Sequence, residues 1–168
     1  MGKQNFVFND AGPCAVYWDG NDMGPTHGGV VMTAEEMGID LKEDGHGDAI
    51  VGHITNGEQV KIEVPLTRTS LTRLNRIFPN SSLAADKLTV SNPVGKDRYD
   101  DAKTLLLKPM EDGIVSADTG KYIQIFKAAP THAIELKFTG EQRVALVTFV
   151  GFVSQDSANF GKLYQIGT

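Results

Sequence analysis

At 168 residues, 40% hydrophobic and 22% charged, the chain has the size and composition of one soluble globular domain spanning 1–168. A formal charge of −5 argues against a surface that grips nucleic-acid phosphates, although it does not exclude DNA passing nearby. The single cysteine, Cys14, rules out an internal disulfide and reads as a small core residue rather than a nucleophile.

The opening MGKQNF has no apolar signal core, and Phe6 breaks the myristoylation pattern. The longest apolar run, VALVTFVGFV at 144–153, is about half of what a helix needs to cross a bilayer. No membrane association is expected. In GIDL, 38–41, Ile39 and Leu41 share one face of a predicted strand. The segments AIVGHI, 49–54, and QVKIEVPL, 59–66, are β-rich, and the second alternates cleanly through Val60, Ile62, Val64 and Leu66. TNGE lies between them, so a hairpin turning at Asn56-Gly57 is predicted.

TSLTRLNRIFP, 69–79, places Leu71, Leu74 and Phe78 at helical spacing, with Thr69 or Ser70 as cap and Pro79 as stop. It predicts one short amphipathic helix covering a sheet. Residues 79–103 are weakly patterned and read as a long loop that carries Leu83, Leu88, Val90, Val94 and Tyr99. A solvated loop would be more polar, so these five are the candidate subunit-interface residues, the alternative being that they pack on their own sheet. Strands are predicted again at 104–108, 122–128, 133–138 and 143–153, with a short one near 162–166. The run at 143–153 is apolar on both faces, as in a central buried strand. The fold class expected is mainly β, a β-sandwich or barrel-like form with one short flanking α-helix.

LKEDGHGDAI, 41–50, gathers three acids, a histidine and two glycines. A calcium loop starting at Asp40 would need a ligand at its third position and glutamate at its twelfth, where Lys42 and Val51 stand. A tight turn around Asp44-Gly45 explains the composition without a metal. His27, His46, His53 and His132 lack zinc-ligand spacing, and no nucleophile elbow, Cys-His signature or phosphate-cradling glycine loop is present. Adjacent acids such as Glu35-Glu36, Glu43-Asp44 and Asp100-Asp101 would point to opposite faces of a strand. The reading is a non-enzyme with no metal and no cofactor.

The stretch THGGVVMTAEEMGIDLKEDGHGDAIVGHITNGEQVKIEVPLTRTSLTRLNRIFPNSS, 26–82, resembles the tail tube (major tail) proteins of tailed bacteriophages. The shared pattern is an early glycine-rich strand and acidic turn, a hairpin, then an alternating strand running into a short leucine-bearing helix that stops at proline. The resemblance covers about a third of the chain by motif. It implies a virion subunit that self-assembles into stacked hexameric rings forming the channel for phage DNA, built in the host cytoplasm. It implies tape measure, tail terminator and baseplate proteins as partners. The other readings are a different virion part on a related fold (tail terminator, baseplate or head decoration protein) or a β-sandwich ligand-binding module.

Overall fold

The computed structural model describes residues 12–136 and 143–167, without the side chains of 132–134 and 136. The strands are β1 (Cys14–Trp18), β2 (Asn21–Asp22), β3 (Val31–Lys42), β4 (Ile50–Leu66), β5 (Ser81–Ala84), β6 (Lys87–Val90), β7 (Lys103–Glu111), β8 (Ile114–Val115), β9 (Ile123–Leu136), β10 (Ala145–Phe152) and β11 (Tyr164–Ile166). Among the described residues one α-helix, α1 (Leu71–Ile77), accompanies them. The protein is mainly β with one short helix, as its sequence leads one to expect.

Nine strands form one antiparallel sheet in the order β2-β1-β7-β9-β10-β4-β3, with β11 added to β9 and β8 to β7. Alternation sends Val16 and Trp18 of β1, Val60, Ile62, Val64 and Leu66 of β4, Leu105 and Leu107 of β7, and Val147 and Phe149 of β10 into one core. The sheet is strongly curled. In a flat sheet β1 and β10 would lie about 14 Å apart, three strand spacings. Yet the Trp18 and Phe149 rings meet with centroids 5.7 Å apart. The Trp18 indole also donates to the Ala128 carbonyl at 2.9 Å, so the largest core side chain buries its one polar group satisfied. Barrel-like form therefore arises from a single sheet bent over its own apolar face. β10 lies between β9 and β4, and Thr148 is buried on the face opposite Val147 and Phe149, as expected of a central strand.

Three local expectations are corrected. Asn56-Gly57 is not a turn, because β4 runs straight through it. Met37 pairs with Gly57 and Gly38 with Thr55, leaving Asn56 as an unpaired bulge residue, with Gly57 at φ 145°. The hairpin between β3 and β4 turns at 43–49 instead. β9 is one strand where two were expected, at 122–128 and 133–138, of which 137–138 lie outside the described residues. Pro130 marks no break, since the β9–β10 register shifts between Val147 and Phe149, where its missing N–H is tolerated. Nor are residues 79–103 a plain loop. They hold the β5–β6 hairpin and a single helical turn, Arg98–Asp101, where the Asp97 side chain accepts from the Tyr99 amide.

The helix starts as expected, with the Ser70 hydroxyl accepting from the Arg73 amide at 3.3 Å, and ends before Pro79. Its buried face differs from the predicted Leu71, Leu74 and Phe78. Ile77 is fully buried, Leu74 packs against the core, Phe78 is half-buried, and Leu71 is 40% exposed. In so short a helix the i, i+3 pair nearest its end makes the contact with the core.

Candidate assembly surfaces

β3 and β4 pair over almost their whole length, but only the half of β4 from Val60 onward reaches the core. The distal half, residues 37–54, projects as a two-stranded arm in which Met37, Ile39, Leu41 and Ile54 are all exposed. Register places these four on one face, since Ile39 pairs with Ile54, Leu41 with Gly52 and Met37 with Gly57. The Asn56 bulge makes this possible. Nearer the body the even-numbered residues Val60, Ile62, Val64 and Leu66 face the core; one extra residue moves Ile54 to the opposite face. The arm's apolar stripe therefore faces away from the protein's own core.

The other face of the arm is mostly polar and internally bonded, with Ile50, the partner of Lys42, exposed near the tip. The His53 Nδ1 lies 2.6 Å from an Asp40 oxygen, its Nε2 3.6 Å from Glu36, and the Thr55 hydroxyl donates to Glu36. The His53 ring lies across Gly38, where a Cβ would strike it. At the base of the arm, the Tyr164 hydroxyl donates to Glu58 at 3.1 Å, and this bond holds the phenol above its usual pKa. The arm is thus braced on its polar side and bare on its apolar side. At about 53% and 58% exposure, Ile54 and Ile39 are far from the burial such residues normally reach.

The stretch 41–50 forms the tip of this arm: a single helical turn, Asp44–His46, closed by Gly47 at φ 63°. His46 sits 3.5 Å from Glu43. Among the described residues no group of three or more His, Cys, Asp or Glu is placed to hold a metal ion. His27 is exposed, and the side chain of His132 lies outside the described residues. Cys14 is partly buried and packs against the core, and burial pushes its thiol up to about 11. No described helix is long and apolar enough to cross a membrane.

The five interface candidates divide. Leu83 and Leu88 pair across the β5–β6 hairpin, where Leu83 and Val90 are exposed and Leu88 is half-buried. Val94 is 86% exposed in the segment that follows. Tyr99 belongs to its own body: its hydroxyl accepts from the Gln155 amide at 2.8 Å, and its ring meets Phe152 edge-on. The hairpin lies beside α1, and the Ser81 hydroxyl bonds Asn75 of that helix.

One cleft, of about 370 Å³, lies between α1, the β1–β2 turn and the 98–101 turn. Asp19, Asp22, Asp100 and Asp101 line it together with Arg73, Arg76 and Lys103. Asp101 is held by Lys96 at 2.8 Å, and Asp22 accepts from the Gly24 amide. These are structural uses of the carboxylates. None of the lining residues is a serine, cysteine or histidine, so the cleft carries no side-chain thiol, serine hydroxyl or imidazole.

Reading the sequence missed the arm's apolar face. Its residues are visible in GIDL and AIVGHI, but strict alternation back from Val60 assigns Ile54 inward. Two tight turns went unread although their signal is strong. Asp19-Gly20 and Asp112-Gly113 take positive φ at both residues and close the β1–β2 and β7–β8 hairpins. No protein-family model and no curated protein matches the chain.

Proposed function

We propose that this chain is the tail tube subunit of a tailed bacteriophage, a structural virion protein that assembles into stacked hexameric rings around a channel for DNA. The observation that carries the reading is the arm: a two-stranded projection with four exposed apolar side chains on one face. A lone soluble domain leaves such a stripe uncovered at a cost in solubility, whereas a subunit covers it with a neighbour. The residue pattern of 26–82 supports the same reading, because the arm and α1 both fall within it. The net charge of −5 suits a channel through which DNA slides without adhering. Tape measure, tail terminator and baseplate proteins are the partners at the ends of such a tube.

Sedimentation velocity on the purified protein tests this, with Ile39→Ser/Ile54→Ser as comparison. The wild type should form hexamers or larger species, and the variant should sediment as a folded monomer. Equal sedimentation of the two as large species would remove the arm from the assembly.

A further inference from the structure

We infer that the arm of one copy docks head to tail on the arginine-bearing flank of α1 in a second copy of this chain. The inference rests on the self-assembly reading and names the surface that receives the arm. Charge is the first argument. The arm carries Asp40, Glu43, Asp44 and Asp48, with Glu35, Glu36 and Glu58 at its base, against one lysine, Lys42. The next stretch, 64–85, has three arginines, Arg68, Arg73 and Arg76, and no acid at all. None of these arginines forms an ion pair among the described residues. In an acidic protein, a cationic segment without an ion pair among the described residues suits an acidic projection of a second copy.

Geometry is the second argument. The two surfaces lie at opposite ends of β4, whose seventeen residues span roughly 50 Å when extended. The arm therefore cannot reach its own α1. A donor surface at one end and a different acceptor at the other make a heterologous contact, which repeats into a closed ring or an open filament. Both sides also pair charge with apolar surface. The arm offers Met37, Ile39, Leu41 and Ile54; the receiving flank offers Leu71 at the first turn of α1, with Leu83 and Val90 on the hairpin beside it. The four aspartates of the cleft repel the acidic tip. The contact is therefore with the arginines from their solvent side rather than inside the cleft.

Charge reversal with complementation tests the contact. The helix variant carries Arg68→Glu and Arg76→Glu; the tip variant carries Glu43→Lys, Asp44→Lys and Asp48→Lys. Each alone should melt like the wild type and lose at least about tenfold in association by mass photometry, and their equimolar mixture should assemble. Wild-type assembly should also weaken at 1 M salt, where screening is nearly complete within about 3 Å. If the helix variant melts early, Arg68→Gln/Arg76→Gln should still reduce association at an unchanged melting temperature. A mixture that stays monomeric while both variants are folded overturns the inference. So does a helix variant that assembles normally but loses retention on heparin, since the arginines would then face nucleic acid. Wild-type assembly unaffected by either reversal removes this contact and leaves the self-assembly reading standing. A wild type that is monomeric at every concentration removes both.

Discussion

Gly38 is the residue on which the arm's polar brace depends. A Cβ there would strike the His53 ring and come within 2.7 Å of the Ile54 carbonyl oxygen. Gly38→Ala should therefore push His53 away from Asp40 and Glu36 and loosen the arm by about 1–3 kcal/mol, the usual cost of overpacking. Hydrogen exchange should show faster arm amides with the body unchanged; an unaltered pattern would contradict the role given to this glycine. Cys14 makes a second, independent claim. Its thiol is raised from 9.0 to about 11, chiefly by burial, so the folded state favours the protonated form. That contribution to stability is whole below pH 9 and is lost as pH rises toward 11. Native protein at pH 8 should react with iodoacetamide far more slowly than unfolded protein, and equal rates would refute it. At this scale the core was largely legible, because Val60, Ile62, Val64 and Leu66 alternate in the sequence and are buried in the fold. Trp18 was not, since its partners Ala128 and Phe149 come from strands far along the chain.

At the scale of the element, α1 and the Asn56 bulge make the sharpest claims. Ile77 is fully buried while Leu71 is largely exposed. Ile77→Ala should cost about 2–5 kcal/mol, and Leu71→Ala less than about 0.5 kcal/mol of monomer stability. Denaturant melts that ranked the two the other way would mean the helix docks by another face. Deleting Asn56 removes the unpaired residue and leaves an odd number of steps from Ile54 to Val60, so Ile54 stays on the face away from the core. The arm should keep its one-sided apolar stripe, and association should persist at an unchanged core stability. Lost assembly with a folded body would show that the kink of the bulge itself is needed. The existence of β3, β4, α1 and β10 could be read from period and capping. The bulge could not, because Asn-Gly is the commonest hairpin signal and only the pairing partner decides between turn and bulge. The β5–β6 hairpin escaped notice for the converse reason: it turns at Ala85-Asp86, with Ala85 at φ 51°, where no turn signature stands.

For the whole molecule, one sheet curled over its own core leaves the long β3–β4 arm outside, and the arm gives the chain its proposed use. The proposed self-assembly would account together for the outward apolar stripe, its acidic tip and an arginine segment that forms no ion pair among the described residues. Of the interface candidates read from the sequence, Leu83, Val90 and Val94 are exposed, Leu88 is half-buried, and Tyr99 is occupied by Gln155 and Phe152 of its own chain. A long apolar loop is visible in a sequence, whereas an arm that turns its apolar face away from the body is visible only once register is known. The most direct measurement is negative-stain electron microscopy of the purified protein across a concentration series. The account expects sixfold rings, or tubes built from them, in the wild type. Monomers at every concentration, or closed particles without sixfold symmetry, would contradict it.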